Sequence, residues 1–142
     1  MGSRIRRSTV RDMTTPEIPD SHRDLLDAQV AVLGTIGASG RPQLSGTWFL
    51  AEGATVKISL NTSRQKVKNL QANPKCSLII LGDPPYKYIE LRGDAEITPD
   101  PDYEFADKLG AKYGGANLRE RDQPGESRVV VTIRPARVIT WG

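Results

Sequence analysis

The sequence predicts a mainly β protein, an antiparallel sheet of six or seven strands that closes on itself as a barrel, with three short helices. Three observations carry this. From Val30 to Leu60, apolar and polar residues alternate with a period of two, as on half-buried strands. The breaks between these runs are short and rich in Gly, Pro and Asn, which suits hairpins. Helical patterning is too sparse to supply the crossovers of a parallel sheet. The 142 residues suffice for one domain with its own core.

Residues 1–19 lack periodic apolar positions and hold Pro16 and Pro19, so a flexible N-terminal arm is expected there, followed by a single domain over 20–142. A short helix follows, capped by Asp20 or Ser21, with Leu25, Leu26 and Ala28 as its apolar side. Val30 to Ile36 is the first strand, residues 37–42 a turn, and Gln43 to Leu50 the returning strand. That strand puts Leu44, Gly46, Trp48 and Leu50 on one face and Gln43, Ser45, Thr47 and Phe49 on the other. After Glu52-Gly53, Val56, Ile58 and Leu60 alternate with Lys57 and Ser59.

The period then changes. Val67 and Leu70 are three apart and Asn73-Pro74 stops the segment, which predicts a short helix over 64–73 capped by Thr62 or Ser63. Cys76 to Leu81 reads as a strand covered on both faces. Tyr86 to Ile97 reads as a long strand, and Asp102 to Tyr113 as a helix ended by Gly114 and Gly115. Asp100, Asp102, Glu104 and Asp107 read as its solvated start. A polar loop over 116–127 leads to two closing strands, Arg128 to Arg134 and Arg137 to Trp141.

Composition narrows the function. Cys76 is the one cysteine, so no internal disulfide forms, a small core residue is expected, and the reducing cytoplasm is the natural compartment. No apolar run approaches the ~20 residues of a membrane helix, so no membrane association is expected. The net charge of +3 sits in residues 1–12, with Arg4, Arg6, Arg7 and Arg11 against Asp12; the remainder is balanced, and nucleic acid is not an expected partner. His22 is the one histidine and reads as a surface residue of the first helix. It has no companion ligands for a metal and no Ser/His/Asp partners.

The segment from Asn61 to Lys66 carries chemistry. It runs strand, polar loop, helix; Thr62 and Ser63 supply hydroxyls, and the helix start supplies free N–H groups and the positive end of the dipole. Arg64 and Lys66 stand in the first turn, where cations oppose the dipole, and Lys68 follows. A bound phosphate would reverse that sign. Spacing alone fits an anion site and equally a solvated basic helix end.

Four pieces, in order, resemble the pyridoxamine-phosphate-oxidase-like split-barrel family, and within it the actinobacterial branch that uses the deazaflavin coenzyme F-420. They are residues 40–49, GRPQLSGTWF; residues 61–70, NTSRQKVKNL, ending in Asn73-Pro74; residues 88–93, YIELRG; and residues 134–141, RPARVITW. The resemblance covers roughly residues 20–142. It implies a homodimeric split barrel that moves a hydride between reduced coenzyme F-420 and a small organic substrate. FMN chemistry and a non-catalytic carrier are the alternatives. Arg64 and Lys66 resemble the family's phosphate-binding pair, here separated by Gln65 as in the deazaflavin branch. Gln43, Ser45, Thr47, Ser59 and Asn61 would then line the ring system, and Lys57 and Lys68 would meet the phosphate or an acidic tail. Trp48, Tyr88 and the 114–127 loop are further contacts that the resemblance implies, from either subunit. No catalytic side chain stands out.

Overall fold

The computed structural model describes residues 16–83 and 86–142; most of the expected arm, residues 1–15, lies outside them. Within that arm, Ile18 is buried in the core. Seven strands form one antiparallel sheet: β1 (Ala31–Ile36), β2 (Pro42–Thr47), β3 (Leu50–Glu52), β4 (Thr55–Asn61), β5 (Lys75–Leu81), β6 (Tyr88–Pro99) and β7 (Arg128–Trp141). Their spatial order is β2-β1-β5-β6-β7-β4-β3. Two α-helices, α1 (Gln65–Ala72) and α2 (Glu104–Lys112), and two 3-10 helices, Asp20–Asp27 and Leu118–Arg121, complete the chain.

The edges of this sheet, β2 and β3, are separated in the chain by Trp48 and Phe49 alone, so the sheet must curl until its ends nearly meet. The result is a curled half-barrel, in keeping with the split barrel expected, and other groups take the backbone of the crossover. The Tyr113 hydroxyl accepts from Phe49 N–H (2.9 Å) and donates to Phe49 C=O (3.1 Å), and Lys112 Nζ donates to the same carbonyl (3.0 Å). The Phe49 side chain is fully buried in the main core, with Leu33, Ile58, Leu78, Ile89, Leu91 and Ile133.

β2 turns its polar face inward: Thr47 is buried and Gln43 and Ser45 half-buried, whereas Leu44 is 72% exposed. The strand reading needs three corrections. β5 is covered on one face, with Leu81 exposed. The strand covered on both faces is β7, whose Val129, Val131 and Ile133 join the main core while Val130 packs under Phe105, Leu109 and Leu118. β7 also runs unbroken through Pro135: the register shifts between Arg92 and Gly93 of β6, where Ala136 of β7 is the extra residue of a bulge. Only glycine fits there: a Cβ on Gly93 would stand 2.3 Å from the Arg134 carbonyl oxygen. Finally, Tyr86 sits in a turn at φ 42°, and the strand begins at Tyr88.

The helices also differ in detail. The first is 3-10, begins after Pro19 without a side-chain cap, and buries His22, whose Nε2 lies 3.0 Å from the Trp141 carbonyl and whose Nδ1 lies 2.8 Å from Ser21 Oγ. His22 thus ties the start of the domain to the end of its last strand instead of facing solvent. α1 is preceded by Arg64 in the cap position, and neither Thr62 nor Ser63 caps it. Thr62 Oγ1 instead contacts the carbonyl (3.2 Å) and hydroxyl (3.0 Å) of Ser127. α2 is capped from a distance: buried Asp100 accepts from the N–H groups of Phe105 (3.2 Å) and Ala106 (2.9 Å), so it is no solvated helix start.

Candidate functional site

α1 leaves β4 and carries the chain across to β5, burying Val67 and Leu70 in the core. Its N-terminus therefore opens beside the ends of β2 and β4. A cavity of about 600 Å³ lies there, between β2, β4, the start of α1 and the 118–126 segment. Of the residues singled out in the sequence, Thr47, Ser59, Asn61, Ser63, Arg64 and Lys66 line it. Ser45 reaches it through Lys66, whose Nζ donates to the Ser45 hydroxyl (3.2 Å).

The others sit elsewhere. Gln43 accepts from Asn69 Nδ2 (3.0 Å) and Thr35 Oγ1 (3.3 Å), a polar knot that holds α1 on β1 and β2. Lys57 pairs with Glu52 at 2.9 Å, and Lys108 pairs with the same carboxylate. Thr62 faces Ser127, and Lys68 is exposed outside the cavity lining.

Lys66 is the unusual group. Its residue is 5% exposed, and among the described residues no carboxylate pairs with it. Burial first, and the Arg64 charge second, push its ammonium below the ordinary lysine value. Nearby donors add to the positive potential. The Gln65 and Lys66 N–H groups open α1 and have no intrahelical acceptor, while Ser63 N–H is taken by Asn61 Oδ1 (2.8 Å). A buried cation at a helix N-terminus, held by one hydroxyl, is a site built for an anion.

The opposite wall is organised by Asp122, which the sequence reading missed. Its carboxylate accepts from Arg128 Nη2 (2.6 Å) and Nε (3.1 Å), Asn61 Nδ2 (2.9 Å) and Tyr103 Oη (2.6 Å). Arg128 also donates to the Ser59 hydroxyl (3.3 Å). Asn61 further donates to Glu126 Oε1 (2.9 Å). These bonds fasten the 117–127 segment onto β4 and β7, so the cavity wall is preformed. Trp48, stacked on Tyr113 with centroids 4.2 Å apart, closes the β2 side. The one hint in the sequence was Arg128, a charge opening a run of valines.

The Asp122 network has an acid signature. Arg128 above all, then Tyr103 and Asn61, hold its carboxyl down to about 2, against 3.8 for a free carboxyl. A depressed carboxyl contributes stability above its unfolded value and loses it as pH falls through the folded one. We expect about 2 kcal/mol to disappear between pH 4 and pH 2. Denaturant titrations across that range should show this loss in the parent protein and not in Asp122→Asn.

A family model described as pyridoxamine 5'-phosphate oxidase matches residues 18–142. The chain belongs to the pyridoxamine 5'-phosphate oxidase family. Solved structures agree. An F-420 reductase is 33% identical, with a TM-score of 0.74 over 86% of this chain and 98% of that one. A conserved hypothetical protein from Mycobacterium tuberculosis is 22% identical, at 0.74 over 91% and 87%. HupZ of Group A Streptococcus is 22% identical, at 0.70 over 87% and 93%. The last two share the fold. Within this pyridoxamine 5'-phosphate oxidase domain no helix among the described residues is long and apolar enough to cross a membrane, and no group of three or more metal-ligating side chains occurs among them.

Proposed function

We propose that the cavity binds a phosphorylated flavin-type cofactor, the deazaflavin coenzyme F-420 in preference to FMN. Its phosphate would lie at the start of α1, and the protein would act as an oxidoreductase passing a hydride from the reduced cofactor to a small organic substrate. The observation that carries this is Lys66, buried without a counter-ion beside Arg64 and two free helix amides. A phosphate supplies the missing charge, and the cavity volume falls within the range of ligand sites, roughly 300–1,000 Å³. The deazaflavin reading is supported by the 33% identical F-420 reductase and by the Arg64-Gln65-Lys66 spacing.

The bound ring would supply the hydride chemistry; the chain binds and orients it. Arg64 offers a fork to two phosphate oxygens and Lys66 a point charge. Thr47 gives the ring a polar wall, while Ser59 and Asn61 are held by Arg128 and Asp122 and keep that wall rigid. A homodimer belongs to this reading as what the family resemblance implies.

The test is a side-by-side titration of FMN and coenzyme F-420 against the parent protein and Lys66→Met. A lysine whose folded value lies below its unfolded one costs stability wherever it stays charged, which includes neutral pH. Lys66→Met is therefore expected to raise the thermal midpoint of the unliganded protein. It should also weaken binding of both cofactors by ~1.5–3 kcal/mol, roughly 10- to 150-fold. Unchanged affinity would overturn the phosphate assignment; tighter FMN than F-420 binding in the parent would make FMN the cofactor.

A further inference from the structure

Lys66 is an amine as well as a cation. It is 5% exposed and lines the cavity, so its Nζ meets solutes through that cavity. Of its N–H donors, one has an acceptor among the described residues, the Ser45 hydroxyl at 3.2 Å. That bond steadies Nζ and, when the amine is neutral, leaves its lone pair free.

The surroundings favour the neutral amine. Burial disfavours the ammonium, and the Arg64 charge acts in the same direction. A lysine that is desolvated, or that stands beside another cation, is the kind that serves as a nucleophile. The neighbouring lysines differ: Lys68 is exposed, and Lys57 pairs with Glu52 at 2.9 Å.

The electrophile follows from what stands next to that amine. α1 opens with Arg64 and with the Gln65 and Lys66 N–H groups, which have no intrahelical acceptor and suit a phosphate. The Lys66 N–H and the Lys66 Nζ belong to one residue, whose extended length keeps them within about 8 Å of each other. A phosphate held by that N–H therefore carries any acyl group attached to it into the reach of Nζ, where attack needs an approach of ~3–3.5 Å.

We infer that Lys66 is a self-acylation site, modified by small acyl phosphates that dock through their phosphate at the start of α1. The Nζ lone pair adds to the acyl carbon, and a new N–C bond forms. The bond from that carbon to the bridging oxygen breaks, and its electron pair leaves with the phosphate. The amine proton passes to the phosphate released, and nothing is oxidised or reduced. An uncharged amide then stands in place of the buried cation. The inference rests on the phosphate site proposed above and adds its regulation. Acylation closes the site to the cofactor, and a bound cofactor phosphate shields Lys66 from acylation.

Acetyl phosphate is the probe, and acetic anhydride is the comparison, carrying the same acetyl group without a phosphate. Unliganded protein is treated with each, and peptide mass spectrometry follows acetylation at Lys66 and at the exposed Lys68 and Lys75. The ratio of Lys66 to Lys68 modification should be at least about tenfold higher with acetyl phosphate than with acetic anhydride. Inorganic phosphate or FMN added beforehand should slow acetylation at Lys66 and leave Lys68 and Lys75 unaffected. FMN binding should fall in step with the fraction acetylated at Lys66. Equal ratios with the two reagents, no protection by phosphate, or full FMN affinity in protein acetylated at Lys66 overturns the inference. Lys66→Met judges the phosphate site itself. If that variant binds both cofactors as its parent does, the site falls; if it binds them weakly while acetyl phosphate spares Lys66, the acylation alone falls.

Discussion

Replacing Arg128 by methionine is expected to destabilise the protein by about 3–5 kcal/mol at neutral pH, the cost of leaving a buried charge without its partner. The side chains of Arg128 and Asp122 are 7% and 4% exposed and 2.6 Å apart. Removing the guanidinium leaves Asp122 with Tyr103 and Asn61 as neutral donors, which lessen the penalty without cancelling it. For a chain of this length the thermal midpoint should fall by roughly 10–17 °C. Two controls separate charge from packing. At pH 4 the deficit should shrink, because the orphaned carboxyl then protonates. Adding Asp122→Asn to Arg128→Met should recover much of the loss, because it removes the charge that was stranded. A deficit below 1 kcal/mol, or no recovery in the double variant, would remove Asp122 from its place as the centre of this wall. The same variant should weaken cofactor binding, since Arg128 holds Ser59 and, through Asp122, the 117–127 wall of the cavity.

Gly110→Ala is the second large effect, and its sign opposes simple helix propensity. Gly110 lies inside α2, where alanine ordinarily adds about 1 kcal/mol of stability. Here a Cβ would stand 2.1 Å from the Ala116 carbonyl oxygen, a backbone atom that no rotamer change can move. The chain doubles back on the helix at that point: the N–H groups of Gly115 and Ala116 both donate to the Gly110 carbonyl, at 3.0 and 3.1 Å. Forcing this turn away displaces Leu118, which packs with Leu109 and Phe105 against Val130. We expect a loss of about 3 kcal/mol, a fall of about 10 °C in the midpoint. Equilibrium denaturation decides it: a variant as stable as its parent would show that the turn yields freely.

These two residues mark where sequence reading stops. Gly110 carries no local sign of its role, because what it meets is a backbone atom six positions away in a turn whose path the helix pattern does not specify. Asp122 sits in a stretch of polar residues and looks like loop; its burial exists because Asn61, Tyr103 and Arg128 come from three separate elements. His22 was misjudged for the same reason: it is a polar side chain at a helix start, where solvation is the default, and a contact outside its own helix, to the Trp141 carbonyl, holds it buried. Asp100 is buried for a local reason, as the acceptor of the Phe105 and Ala106 N–H groups that open α2.

The polar inner face of β2 is instructive in another way. Alternation placed Gln43, Ser45 and Thr47 together, and period two cannot say which face is inside. Leu44 faces outward, and the polar row faces Asn69, Lys66 and the cavity. An apolar residue outside and a polar row inside is what a strand shows when a polar site, rather than the apolar core, lies behind it.

Local order on this chain was legible from residue type and period: the antiparallel strands, the short helix after Asn61 and the basic pair that begins it. Those features depend on neighbours within a few positions, where alternation and turn chemistry act directly. The tertiary structure alone decided the curl of the sheet, the faces that became interior, and the partnering of each charge. Two basic side chains, Lys66 and Arg128, thereby acquired opposite fates, one without a counter-ion among the described residues at the mouth of a helix and one locked to Asp122. The physical reason is that the energy of a buried charge depends on what stands within a few ångströms of it, and here those groups come from strands, helices and loops more than 20 positions away in the chain or across a turn.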